Sequence, residues 1–532
     1  MTLKKIFCFT LALAVCLAGF FSAIADAKNK NEPEKILYIP HDNRPIVNEQ
    51  TISIIERAGY KVISPPDYLL GNRENLGNPD MLWGWLEKNA TKDIKAAVIS
   101  GDSMLYGSLV GSRKHHYGRQ LIMERAELFK EFRKRHKKLP IYVFSSIMRT
   151  PRSGLASGYE EPDYYRNYGT NIFRYTELTD KKETDGLTAR ETKELAFLKR
   201  LIPERALNDW MDRRSKNFDA NKKLTDMAKT KVFDFLIIGR DDNAPFSQTH
   251  MESRHLKRYA ASVDRNKLQN IAGIDEVGLL LLTRAVNFGK KNNPSVYVRY
   301  NSGRAGFTVP TYSDETIDES INAELSIVGA RRINEPGRAD FILAVNTNQN
   351  GMTYEGGTHS NDGKEREGTK YFLGLVRSDL QAGRRVVLAD IAFANGADNA
   401  LMERLKNQKL LTKLQAYSGW NTATNSTGFA IGSGVLTQKM SPADRKTVLL
   451  NRLLDDWAYQ ANVRGIIARQ LNWMRGDGFY GELNEKRYRA ETDATRLINS
   501  FVQNNLSDFG IKENITLTFP WNRMFEAKFE FK

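Results

Sequence analysis

Phe233-Asp234-Phe235-Leu236-Ile237-Ile238 runs without a break into Gly239-Arg240-Asp241-Asp242-Asn243-Ala244-Pro245. A short, almost wholly apolar run suits a strand covered on both faces, as in a parallel sheet. Its abrupt polar end suits the place where α/β proteins keep their chemistry, the carboxyl ends of the strands. The same pattern recurs on either side. Earlier runs are Ile36-Leu37-Tyr38-Ile39, Ala96-Ala97-Val98-Ile99 and Ile141-Tyr142-Val143-Phe144. Later ones are a short run at Ile271, Val296-Tyr297-Val298, Phe341-Ile342-Leu343-Ala344-Val345 and Val386-Val387-Leu388-Ala389. Helical stretches lie between them, such as Gln120 to Arg135, whose Leu121, Ile122, Ala126, Leu128 and Phe129 fall mainly on one face. This alternation predicts an α/β protein. Eight runs favour a (β/α)8 barrel, with two doubly wound, Rossmann-like halves as the alternative.

The barrel domain is expected to span residues 28–435. From 436 to 532 the pattern changes to a long helix with Leu449, Leu450, Leu453, Leu454 and Trp457 at helical spacing, a second helix, and a closing hairpin. This is read as a helical and β appendage. At the other end, Lys4-Lys5, an apolar run from Ile6 to Ile24 and Ala25-Asp26-Ala27 form the pattern of a cleaved signal peptide, residues 1–27. Cys8 and Cys16, the chain's 2 cysteines, lie inside it, so the mature protein is expected to lack disulfides and thiolate chemistry. The leader takes two lysines and one aspartate with it, leaving a net charge of +15 from the whole chain's +16. A basic exported protein is drawn to anionic envelope polymers or headgroups by long-range electrostatics. The expected location is secreted or envelope-associated. Nucleic acid is not an expected partner, and no later run is apolar enough to span a membrane.

The strand ends supply the candidate site. After the first run come Asp42 and Arg44, and after the second come Asp102 and Tyr106. Asp275 and Glu276 follow the fifth run, and Trp420, Asn421 and Asn425 follow the eighth. Any one of these can be a helix cap or turn residue. Several acidic strand ends converging on one mouth are harder to explain that way. Asp241-Asp242 is the sharpest case. Adjacent carboxylates repel, so one retains its proton near neutrality when both are partly desolvated. A protonated carboxyl beside an ionised one suits acid catalysis at a glycosidic oxygen. In the substrate-assisted variant Asp242 is the acid/base and Asp241 orients the sugar's acetamido group. Trp420 would then wall the sugar ring and Asn421 and Asn425 would bind hydroxyls. The conventional alternative opposes Asp242 with Asp275 or Glu276. A hard cation among Asp42, Asp102, Asp241 and Asp275 is conceivable, but the preferred reading carries no metal and no cofactor. Zinc-helix, P-loop and nucleophile-elbow patterns are missing.

Two resemblances add to this. Tyr38-Ile39-Pro40 with Asp42 and Arg44-Pro45, Gly101-Asp102-Ser103-Met104, Gly239-Arg240-Asp241-Asp242, Asp275-Glu276-Val277-Gly278, Gly419-Trp420-Asn421 and Phe519-Pro520-Trp521 resemble the bacterial domain-of-unknown-function family 4127 over the whole mature chain. More locally, Asp241-Asp242 with Trp420, Asn421 and Asn425 is similar to hyaluronidase and O-GlcNAcase-type β-N-acetylglucosaminidases. The early G-F-Y-G motif of those enzymes is absent, and Ser426 stands where they have an acidic residue. That second resemblance implies a barrel glycoside hydrolase acting on an N-acetylated or related polysaccharide. The rival class is a non-catalytic polysaccharide-binding envelope protein.

Overall fold

A computed structural model describes residues 32–154, 159–287, 293–301, 303–471 and 481–532. The expected signal peptide, with Cys8 and Cys16, lies outside the described residues. The first five apolar runs and one short strand not read from the sequence, Lys61–Ile63, are parallel strands of one sheet: β1 (Lys35–Ile39), β2 (Lys61–Ile63), β3 (Ile94–Ser100), β4 (Ile141–Ile147), β5 (Phe235–Arg240) and β6 (Leu268–Ala272). Their order is β2-β1-β3-β4-β5-β6. The last three runs are β7 (Ser295–Tyr300), β9 (Phe341–Asn346) and β11 (Val386–Asp390), and four short strands not read from the sequence accompany them: β8 (Arg331–Arg332), β10 (Tyr354–Glu355), β12 (Phe393–Ala394) and β13 (Ala416–Ser418). A second parallel sheet has the order β13-β11-β9-β7-β8, and β10 pairs with β12 in a short separate ladder.

The eight runs therefore do not close into the one barrel expected first. They divide after β6 into two open sheets, the arrangement expected second. Closure needs β6 to pair onward, whereas the next strand, β7, pairs with β8 and β9 instead. Both sheets follow one rule: each half's second strand flanks its first, and its third strand lies on the first strand's other side. The chain thus reverses direction across the sheet between β1 and β3, and again between β7 and β9. Such switch points open a crevice at the carboxyl ends of the strands.

Alternation along each strand sorts side chains into different cores. Ile36 and Tyr38 of β1 and Phe235 and Ile237 of β5 share a cluster with Val296, Phe341, Leu343 and Val387 of the second sheet. Between the sheets lie the helices Val277–Asn287 and Ala423–Leu436, which contribute Leu279 to Leu282 and Phe429 to Ile431 to that cluster. Leu37, Ile39, Val143, Leu236 and Ile238 point the other way, onto Leu82, Phe129 and Leu224 of the outer helices. The final stretch has the expected helices and hairpin, β14 (Ile515–Thr518) with β15 (Lys528–Phe531). Its Leu453, Trp457, Ile498, Leu517 and Phe519 pack with Ile342 and Leu388, so it covers the outer face of the second sheet. Among the described residues no helix is long and apolar enough to cross a membrane.

Candidate active site

Helix capping does not account for the strand-end carboxylates. After β3 the cap of helix Gly101–Tyr106 is Ser100, which accepts from Ser103 N, and after β5 the cap of helix Gln248–Tyr259 is Ser247. Asp398 does cap its helix, accepting from Leu401 N. Asp242 instead sits at φ +32, where a side chain is strained, and points its carboxylate to Arg149.

A cavity of about 300 Å3 opens between the carboxyl ends of the two sheets. The first half contributes Asp42, Arg44, Asp241, Asp242 and Asp275 to its lining, and the second contributes Asn395, Asn421 and Asn425. Trp521, Arg523 and Phe525 close it from the C-terminal segment. Four candidates lie elsewhere. Asp102 is fully buried below, accepting from Ser146 N at 3.0 Å, and burial pushes its pKa up to about 6. Tyr106 stacks on His115 with 4.8 Å between ring centroids. Glu276 is buried in the core between the sheets, beneath Gly428. Trp420, 2% exposed, packs 5.6 Å behind Phe525, so the aromatic wall is Phe525 and Trp521 rather than Trp420 itself.

Asp275 is the most firmly held carboxylate. Arg44 donates to it through Nη2 at 2.5 Å and Nη1 at 3.2 Å, Asn421 Nδ2 donates at 3.0 Å, and His41 lies 3.1 Å away. Burial opposes its ionisation, but Arg44 and then His41 outweigh that and hold it well below the usual carboxylate range. Arg44 Nε also donates to both oxygens of Asp42 at 3.0 Å.

Asp242 is biased the other way. Its side chain is 30% exposed at the cavity mouth, and partial burial, then the neighbouring Asp241 charge, push its pKa up to about 6 against the pull of Arg149, whose Nη1 lies 3.1 Å away. Asp241 accepts from Arg113 Nη2 at 2.5 Å. Glu160 ties the arginines together, at 2.6 Å from Arg113 and 2.8 Å from both Arg149 and Arg523. These cations outweigh burial, led by Arg523, and keep Glu160 well below its ordinary range. Arg113, Arg149, Glu160, Trp521 and Arg523 were not picked out from the sequence. In the sequence Phe519-Pro520-Trp521 is only a family mark, and the arginines sit in helices and loops without a spacing signature.

Two further features mark this cavity. Buried Asn243 Nδ2, Asn395 Oδ1 and Asn425 Oδ1 have no hydrogen-bond partner among the described residues, and all three side chains line it. Buried amide groups are seldom left so. Asp242, Tyr312, Asn395 and Asn421 have φ of +32, +68, +57 and +61, and all line it as well. Non-glycine residues held at positive φ gather at ligand clamps and active sites. Among the described residues no group of three or more His, Cys, Asp or Glu is arranged to hold a metal ion.

No curated protein matches the chain. A family model described as "Protein of unknown function" does match, from residue 36 to residue 530, a span that takes in both sheets and every residue of the cavity. The chain belongs to that family, DUF4127.

Proposed function

We propose that this cavity hydrolyses a glycosidic bond in an N-acetylated or related glycan, with Asp242 as the acid/base. The observation that carries the reading is the adjacent pair Asp241 and Asp242 on the cavity lining, held by different arginines, with the Asp242 carboxyl pushed up to about 6. A carboxyl whose surroundings raise its pKa toward neutrality is the usual equipment of a general acid. The unpaired amide atoms of Asn243, Asn395 and Asn425 offer both a donor and acceptors, which suits a polyhydroxylated ligand. Trp521 and Phe525 supply apolar faces for a sugar ring.

In the substrate-assisted course, Asp242 gives its proton to the glycosidic oxygen as the bond to the anomeric carbon breaks. The acetamido oxygen of the substrate attacks that carbon, with Asp241, held by Arg113, orienting the acetamido N–H. Water then opens the ring intermediate, giving its proton back to Asp242. Asp275 has its oxygens engaged by Arg44 and Asn421, so its part is to hold those side chains in place. Glu276 is buried away from the cavity and has no part in this reading. Secretion through residues 1–27, contact with envelope polysaccharide and attraction to anionic envelope polymers complete the proposal.

The test is hydrolysis of aryl and natural N-acetylhexosaminides across pH. Activity as kcat/KM should fall as pH rises through about 6, where the free enzyme's acid loses its proton. Tight glycan binding without turnover at any pH would establish the non-catalytic rival instead.

A further inference from the structure

Five arginines line the cavity: Arg44, Arg113, Arg149, Arg152 and Arg523. Four of them are spoken for. Arg44 meets Asp42 and Asp275, Arg113 meets Asp241 and Glu160, Arg149 meets Asp242, Glu160 and Glu161, and Arg523 meets Glu160 and Glu526. Arg152 differs, having no carboxylate partner among the described residues. Its guanidinium lies 5.1 Å from the centre of the Phe173 ring, and both residues line the cavity.

We infer that the glycan bears an acidic group, and that Arg152 recognises it; this rests on the glycosidase reading above. The contact with Phe173 restrains the guanidinium while leaving its N–H donors unengaged by protein carboxylates. That planar fork matches the oxygens of a carboxylate, sulfate or phosphate in a way an ammonium cannot. Its place in the fold puts it on the same cavity as the acid. Arg152 follows β4 and Asp242 follows β5, and the ends of these strands are paired through Ile147 and Arg240. An oxyanion bound by Arg152 therefore belongs to a ligand that occupies the same cavity as Asp242. The whole chain carries a net charge of +16, so long-range attraction also favours an acidic polymer.

The experiment uses the full mature chain and arrays of oligosaccharides bearing uronate, sulfate or phosphate groups, each beside its neutral counterpart. Titration calorimetry and hydrolysis rates on the best pair follow. The acidic member should bind about tenfold more tightly, the worth of one charge-assisted contact, with the preference shrinking in high salt. Arg152→Gln should bring the ratio of the two affinities toward one, and Arg152→Lys should restore part of it. Thermal melts of both variants check folding, and Arg152 is exposed, so neither change disturbs the core. The arms separate the oxyanion's source, since a uronate and an ester give different best pairs. Equal affinity for acidic and neutral members, with hydrolysis of both, would overturn the acidic-group inference and leave the glycosidase reading standing. Preference for an acidic ligand without any hydrolysis would overturn the glycosidase reading instead. Failure to bind any member would overturn both.

Discussion

Asp241 and Asp242 are one peptide bond apart yet meet different cations, Arg113 and Arg149, and so can take different roles. Asp242→Asn keeps the shape but has no proton to give. Loss of a positioned acid should slow hydrolysis of natural glycans by about 10²–10⁴-fold. Nitrophenyl glycosides, whose leaving groups need little protonation, should suffer far less. Asp241→Asn should slow both substrates alike, because it disturbs the acetamido nucleophile. A purely structural role would show itself otherwise, as a stability loss with no leaving-group dependence. Rates on both substrate types, with thermal melts alongside, decide the matter; full activity of a folded Asp242→Asn protein on a natural glycan would end the acid assignment.

Among the elements, the helix Ala423–Leu436 is buried along its whole length and passes between the two sheets. It does so because Gly428 lets it lie against Glu276: a Cβ there would come within 2.4 Å of the Glu276 Cγ. Gly428→Val should therefore cost about 1–3 kcal/mol through overpacking. Gly374, in the helix Thr369–Gln381, has nothing within 4 Å of the place a Cβ would occupy. There Gly→Ala should stabilise by about 0.5–1 kcal/mol. Opposite shifts in the denaturant midpoint for the two variants are the expected result. Edge strands explain another part of the design. Lys61 begins β2, and Arg331 and Arg332 make up β8; these short charged strands guard the sheets against pairing with other chains.

Across the whole molecule, the two halves are joined by a common apolar core that encloses two carboxyls. Glu276 follows β6 of the first half, and Glu324 lies in the helix Ile317–Ile327 of the second, accepting from Thr427 Oγ1 at 2.9 Å. Burial above all, and for Glu324 the nearby Glu276, raises both pKa values well above the ordinary glutamate range. The folded state then binds protons that the unfolded chain has released. This contribution to stability is whole below about pH 4, and is lost as pH rises toward the folded values. Asp275 and Glu160, held low, work the opposite way and lose their contribution on acidification. Glu276→Gln keeps the shape without an ionisable proton, so it should melt higher than the wild type at about pH 8, with a smaller gain at about pH 5. An unchanged difference between the two conditions would show that Glu276 does not titrate with folding.

The eight apolar runs, the α/β class and the polar strand ends were legible because burial on both faces leaves a continuous apolar run whatever the pairing. Asp42, Arg44, Asp241, Asp242, Asp275, Asn421 and Asn425 were legible for a related reason: a strand's carboxyl end is a local feature. Pairing is not. The strands β2, β8 and β13 are too short to leave a run, yet they make edges of two open sheets rather than parts of one barrel. Which side chain reaches the cavity also depended on packing across long separations. Trp420 and Trp521 look alike in the sequence, but Trp420 is spent behind Phe525 and Trp521 faces the cavity. The arginines joined through Glu160 come from three separate parts of the chain, Arg113, Arg149 and Arg523. The sequence by itself determined which residues could ionise and where the longer buried strands would lie. Tertiary structure alone decided which charges became neighbours, because a pKa is set by distance and desolvation, and neither is written in residue order.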